Sequence, residues 1–256
     1  GQIEMKTLEL RNVNLKFGGL LAIDNLSLSI EENQIFSLVG PNGAGKTSVF
    51  NAISRFYNIN SGDIVLYGSS IKYLKTHELA SVGVARTFQN IELFNNATVL
   101  ENLLVACHSR KQTDFLSELL FLPKVRIQEL EYRDVVEKVI DLLELQPYRD
   151  KKPSELPYGL RKVVELARAL SLKPKLLLMD EPGSGLAVEE KQDLAFWIND
   201  IREVLGITIL LIEHDLNVVR EVSDKVAVLS NGKLIWTGNP HDLEKSTRVV
   251  KAFIGQ

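Results

Sequence analysis

The sequence predicts an α/β protein. It has a parallel sheet covered by helices, an antiparallel β unit at the N-terminus and a helical block inserted part-way along. Three observations predict this. The runs Ile35–Val39, Leu176–Met179 and Thr208–Ile212 are short and almost wholly apolar, as strands buried on both faces are. Helical patterns separate such runs, and strand–helix alternation gives a parallel sheet. From about residue 93 to residue 157 the strand signals stop and helical spacing takes over.

Taken in order, Thr7–Val13 and Leu26–Ile30 alternate apolar and polar residues around a break at Gly18-Gly19, and read as short antiparallel strands. Ile35–Val39 is a buried strand that runs into glycine. Lys46–Phe56 reads as a helix and Ile64–Tyr67 as another short strand. Val99, Leu103 and Leu104, then Val135, Val136, Val139, Ile140, Leu142 and Leu143, recur at helical spacing. Pro147, Pro153 and Pro157 close that stretch. Helix Leu160–Leu170, strand Leu176–Met179, helix Glu189–Val204 and strand Thr208–Ile212 follow. The expected organisation is a single domain. Residues 1–92 and 158–256 form the core with its N-terminal β subdomain, and 93–157 form an inserted helical subdomain.

The 256 residues are 45% hydrophobic, enough for a sizeable core. No apolar run approaches the roughly 20 residues that cross a bilayer. The N-terminal GQIEMKTLEL lacks the basic and apolar regions of a secretory signal. The single cysteine, Cys107, excludes an internal disulfide and suits a reducing compartment. A net charge of −3 gives no support to nucleic-acid binding. The expected setting is therefore cytoplasmic, with any membrane role exerted through a partner.

Gly40-Pro41-Asn42-Gly43-Ala44-Gly45-Lys46-Thr47 fits G-x-x-x-x-G-K-[ST], and it lies between a predicted buried strand and a predicted helix. Glycines let backbone N–H groups converge on phosphate oxygens, and the helix N-terminus favours negative charge. Lys46 is expected to reach the β- and γ-phosphates of a nucleotide, and the Thr47 hydroxyl to ligate Mg²⁺. The alternative, a glycine-rich turn with a chance lysine, does not account for all eight positions.

Leu176–Met179 ends in Asp180-Glu181, at the strand edge where ligands sit in open α/β sheets. Asp180 is expected to hold Mg²⁺ through water, and Glu181 to polarise the attacking water as general base. Taken alone, the two acids would read as a solvated turn. His214 follows the strand Thr208–Ile212, and an imidazole there could donate a hydrogen bond to a γ-phosphate. His77, His108 and His241 read as surface or capping residues. Gln89, where the core meets the helical block, is on spacing alone an ordinary polar turn residue. The other reading makes it a Mg²⁺ ligand that reports nucleotide state.

These pieces, in this order, resemble the ATP-binding cassette family over nearly the whole chain. The resemblance implies a P-loop NTPase core, with Gly40–Thr47 as Walker A and Leu176–Asp180 as Walker B. It puts Gln89 at the Q-loop, His214 at the H-loop and Phe17 at the A-loop, whose ring stacks on adenine. Nucleotide contacts are implied for Gly40 to Thr47 and the following Ser48. Leu156-Pro157-Tyr158-Gly159-Leu160 is similar to the family signature LSGGQ, which implies that Tyr158 and Gly159 meet the ATP held by a partner chain. Phe17–Ala22, Arg86–Asn90, Thr98–Ala106 and Val249–Gly255 look most like the branched-chain amino-acid importer ATPases. ATPases for urea or amides, or for lipopolysaccharide export, are the alternatives, and a soluble non-transport ABC ATPase is a further one.

The resemblance implies ATP and Mg²⁺ as cofactors and a second ATPase subunit, either an identical copy or a paralogue. It also implies two membrane permease subunits, an indirect link to an extracytoplasmic solute-binding protein, no nucleic acid, and a peripheral position on the inner face of the cell membrane. Two residues depart from the family pattern. Pro157 stands where the signature serine would contact the γ-phosphate, and Ala187 stands where the D-loop usually has aspartate. The apolar stretch Phe115–Pro123 either packs within the helical block or docks a permease.

Overall fold

Two sheets organise the chain in a computed structural model, which describes residues 6–87, 92–109 and 123–254. Strands β1 (Lys6–Phe17) and β2 (Leu20–Glu31) form a hairpin across Gly18-Gly19, with Leu8 opposite Ile30 and Leu15 opposite Ile23. Both run further than their alternation predicts. Register shifts and the positive φ of Asn12 and Asn25 (48° each) mark irregularities that break the period-two pattern inside continuous strands. After β3 (Ile35–Val39) come β4 (Ser61–Leu66) and β5 (Ser69–Ser70), which complete an antiparallel sheet of order β2-β1-β4-β5.

The second sheet adds to β3 the strands β6 (Val84–Thr87), β7 (Leu176–Asp180), β8 (Thr208–Ile212), β9 (Lys225–Ser230) and β10 (Lys233–Gly238), in the order β10-β9-β3-β8-β7-β6. All neighbouring pairs are parallel except β9 with β10. Helix α1 (Lys46–Ile53) follows β3. It stops three residues short of the expected Phe56, because Arg55 takes a left-handed φ of 60°. The other helices are α2 (Val99–Ser109), α3 (Pro123–Leu142), α4 (Tyr158–Ser171), α5 (Val188–Leu205), α6 (Leu216–Val222) and α7 (Thr247–Ile254).

Side chains on β7 and β8 alternate between two apolar cores, as strand geometry requires. Leu176, Leu178, Leu210 and Ile212 pack toward the antiparallel sheet and Phe50 of α1. Leu177, Met179, Ile209 and Leu211 pack toward α4 and α5. That second core also takes Val99, Leu103, Val136, Val139 and Ile140 from α2 and α3. The inserted helices therefore share one continuous core with the sheet. The stretch Phe115–Pro123 falls almost wholly outside the described residues.

Candidate functional site

The carboxyl ends of β3, β8 and β7 lie side by side, because β8 sits between the other two. This edge gathers three of the expected elements: the glycine-rich loop after β3, Asp180-Glu181 at the end of β7, and His214 after β8. Parallel sheets collect their ligands at such an edge.

The glycine-rich loop is held by its own backbone. The Ala44 amide donates to Pro41 O at 3.0 Å, and the Gly232 amide, from the β9–β10 turn, donates to Ala44 O at 2.8 Å. Gly45 caps α1 with φ 105°, and a Cβ there would lie 2.7 Å from Ala22 O, so no other residue fits. The Lys46 ammonium donates to Gly40 O and, at 3.2 Å, to Pro41 O. Its burial pushes the pKa below the usual lysine value, and the nearby Glu181 carboxylate opposes that shift. Thr47 is exposed and Ser48 half-buried at the start of α1.

A cleft of about 380 Å³ is lined by Phe17, Leu20, Leu21, Ala22, Asn42 to Ser48, Glu181, Asn231 and Gly232. Phe17, 41% exposed, makes an edge contact with Tyr57 at 4.8 Å between ring centroids. It is exposed enough to meet a planar group in the cleft. Glu181 holds a left-handed φ of 49°, an uncommon and strained conformation for glutamate. Its amide donates to Ile212 O at 2.8 Å, which fixes the end of β7 against the end of β8. His214 Nδ1 lies 3.6 Å from Glu181 Oε1. Both side chains are accessible, so one bound group can meet both.

Asp180 is placed differently from a freely offered carboxylate. Its Oδ2 accepts from Arg86 Nη2 at 2.7 Å, and the two side chains are 13% and 10% exposed. Arg86 also donates to Asn51 Oδ1 at 2.8 Å and Ser54 Oγ at 3.2 Å on α1, and its guanidinium lies over the rings of Phe50 and Phe56. Sequence reading noted Arg86 only within the family-like stretch Arg86–Asn90 and gave it no role, because strand β6 is only four residues long and lacks the continuous apolar run of its neighbours. Gln89 lies outside the described residues.

The comparisons with known proteins bear directly on this edge. The ABC transporter family model matches residues 23–184, which include the glycine-rich loop, Asp180 and Glu181. The chain belongs to the ABC transporter family. It is 39% identical over 249 residues to the high-affinity branched-chain amino acid transport ATP-binding protein BraF of Pseudomonas aeruginosa, covering 97% of this chain and 98% of that one. It is 37% identical, with the same coverage, to LivG of Escherichia coli, described in the same words. The ADP conformation of MJ1267, an ATP-binding cassette of an ABC transporter, superposes with a TM-score of 0.85 at 32% identity, covering 98% of this chain and all of that one.

Elsewhere in the cassette, Pro157 is the N-cap residue of α4, with Tyr158 the first helical position and no side-chain cap bond. Proline thus occupies the position where a serine would cap the helix. Tyr158 is 46% exposed, and its ring packs beside Gly185. Gly159 faces the Glu190 carboxylate so closely that a Cβ would clash. Ala187 is the N-cap of α5, and its amide donates to Glu190 Oε2 at 2.8 Å. Glu190 thus satisfies the amide of residue 187, while no side chain at that position caps the first turn of α5.

A buried carboxylate that the sequence reading passed over also belongs here. Glu213 is 1% exposed and accepts from the amides of Gly183 at 3.0 Å, His214 at 3.0 Å and Asp215 at 3.4 Å. It ties the turn after Glu181 to the turn carrying His214. A glutamate immediately after an apolar strand and before the candidate histidine was the available signal.

Proposed function

We propose that the chain is the ATP-hydrolysing subunit of an importer for branched-chain amino acids. The observation that carries the reading is that Lys46 and Glu181 line one cleft bounded by the glycine-rich loop, with His214 3.6 Å from Glu181 at the same sheet edge. The solute class rests on similarity to BraF and LivG across nearly the full length of all three chains.

The residues fit an adenine nucleotide with Mg²⁺. The loop from Gly43 to Thr47 and the start of α1 line the cleft, where the helix N-terminus favours negative charge and Lys46 adds a cation. Thr47 and Asp180 supply hard oxygen donors, and Mg²⁺ commonly takes only one or two protein ligands beside phosphates and water. Gln89 is the third candidate ligand. When bound, Mg²⁺ neutralises charge on the phosphate oxygens. Lys46 would exchange its bonds to Gly40 O and Pro41 O for phosphate oxygens. Glu181 would accept a proton from the attacking water, and His214 would donate a hydrogen bond to the γ-phosphate. Phe17 would stack on the adenine.

The cassette would work as one of a pair, identical or paralogous. Tyr158, Gly159 and the N-terminus of α4 would face the ATP of the other chain. Two permease subunits in the cell membrane, served by an extracytoplasmic solute-binding protein, would hold the pair at the inner face. No helix among the described residues is long and apolar enough to cross a membrane. A groove of about 620 Å³ between the sheet and the helical block, bordered by Phe56, Arg86, Glu92, Glu165 and Arg168, would offer the permeases a docking place.

Glu181→Gln tests the reading. Glutamine keeps the shape but cannot take a proton from water. It also removes one of two like charges which, about 4 Å apart at an effective dielectric near 20, cost on the order of 4 kcal/mol. The variant should bind ATP, hardly hydrolyse it and accumulate as a dimer, seen by size-exclusion chromatography with light scattering. An ATP-saturated variant that stays monomeric and turns ATP over at the wild-type rate refutes the assignment of Glu181. Loss of leucine uptake in cells lacking the gene tests the solute class.

A further inference from the structure

One buried cation on α4 has no part in the nucleotide chemistry described so far. Lys162 is 4% exposed, and its ammonium donates to Pro182 O at 2.9 Å and Ser184 O at 2.7 Å. These are backbone carbonyls of the turn that begins at Glu181. The amide between them, that of Gly183, donates to the buried carboxylate Glu213 at 3.0 Å. The turn is therefore gripped from two sides: a lysine takes its carbonyls and a glutamate takes its amide.

We infer that Lys162 and Glu213 form a bracket that positions Glu181, so that the start of α4 and the turn carrying the general base move as one piece. Lys162 lies one helical turn beyond Tyr158 and Gly159, on the same helix, and its ammonium is 5.6 Å from the Tyr158 ring centroid. The Tyr158 ring in turn packs beside Gly185 in the gripped turn. Glu181 needs such support because its φ of 49° is unfavourable for a side chain and persists only where the surroundings hold it. The amide of Ser184 closes the turn on Glu181 O at 3.1 Å, so displacing Ser184 displaces Glu181.

Energetics point the same way. An ammonium and a carboxylate buried together are costly to desolvate and are a poor device for stability alone. Burial lowers the Lys162 pKa, while Glu213, Glu165, Glu181 and Glu190 oppose that shift and favour the charged form. What the arrangement supplies is a fixed geometry with donors and acceptors matched. In a chain whose D-loop has Ala187 in place of aspartate, this bracket couples the signature helix, which would meet the partner's ATP, to the chain's own catalytic glutamate.

The inference rests on the reading of Glu181 as general base, and its test separates the two. Lys162→Met keeps the apolar stem and removes both donor bonds. Hydrogen exchange of the amides of residues 183 to 186, in protein without added nucleotide, should become at least about tenfold faster. ATP affinity, measured by equilibrium binding without Mg²⁺, should stay within about twofold. The kcat for hydrolysis should fall roughly 10- to 100-fold with little change in KM, because misplacing a catalytic group by about 1 Å has effects of that size. Lys162→Arg, which restores a charged donor, should recover most of the kcat. Unchanged exchange, or a Lys162→Met kcat within twofold of wild type, overturns the inference, and so does an arginine variant as slow as the methionine one. Should Lys162→Met not fold, Glu213→Gln is measured in the same way with the same expectations. A wild-type chain that hydrolyses no ATP would refute the general-base reading, while the exchange experiment would still decide on the bracket.

Discussion

Replacing Arg86 with methionine keeps an unbranched stem beside Phe50 and Phe56 and removes the guanidinium that joins Asp180 to α1. Three contacts go with it: the 2.7 Å bond to Asp180 and the bonds to Asn51 and Ser54. With the two charged side chains 10% and 13% exposed, the main cost is a carboxylate left without its cation. Breaking a buried pair by removing one partner costs about 3–5 kcal/mol, and the remaining water access favours the lower end, about 3 kcal/mol. For a chain of this size each kcal/mol shifts Tm by about 2–4 °C, so the variant should melt roughly 6–12 °C lower by scanning calorimetry. Arg86→Met combined with Asp180→Asn should regain part of the loss, because no uncompensated charge then remains. A single variant melting within about 2 °C of wild type, or a double variant no better than the single, would refute the account of this pair as a buried, mutually dependent unit.

Three further outcomes are expected. His214→Ala should bind ATP as wild type does and release phosphate roughly 10²-fold more slowly, and an unchanged rate would remove His214 from the γ-phosphate. Pro157→Ser adds an N-cap oxygen to α4, worth about 1 kcal/mol, and gives up a proline restriction worth about 0.4–1 kcal/mol. Its melting temperature should barely move and its hydrolysis should be equal or faster, so a large loss of activity would show that the proline itself is required. The Lys191 ammonium holds the Asp215 carboxyl below its usual pKa, and Asp215 raises that of Lys191. The depressed carboxyl adds stability above about pH 4 that is lost as the pH falls through its folded value. The raised ammonium adds stability below about pH 10 that is lost as the pH climbs through its folded value. Lys191→Met should thus cost about 0.5 kcal/mol in urea denaturation at pH 7 and progressively less as the pH is lowered below about 4, and a cost that does not fall with pH would exclude the pair as the cause.

The elements that could be read from sequence were those whose physics is local. Ile35–Val39 and Thr208–Ile212 were bounded to the residue, because a strand buried on both faces must be apolar throughout. Leu176–Met179 came out one residue short, since Asp180 belongs to the strand and to the site at once. The glycine-rich loop was legible because few residues tolerate its backbone. What escaped depends on contacts distant in sequence. Strand β6 was missed, and with it the role of Arg86, whose partner Asp180 is 94 residues away. β9 and β10 were passed over although Asn231-Gly232, both at positive φ, form the turn between them that packs on the phosphate loop. Glu213 and Lys162 are charged residues in predicted strand and helix surroundings, and nothing in their neighbours along the chain announces that they share one turn.

The loop's internal bonding also explains how its shape is set before any phosphate arrives. Pro41 O accepts from the Ala44 amide and from Lys46, Ala44 O accepts from Gly232, and Gly45 O accepts from Val49 as α1 begins. Each of these bonds is between parts of the chain, so the loop does not need ligand to hold its curve. Only Lys46 must exchange partners, giving up carbonyls for phosphate oxygens. The gain from that exchange is a charge-assisted bond replacing an ion–dipole one, in a place where burial already weakens the ammonium's hold on its proton. A multiply charged phosphate favours the exchange more than a neutral ligand does. The loop would therefore take a phosphate chain without reshaping, and on the proposed function any discrimination between tri- and diphosphate would fall to Glu181 and His214, outside the loop.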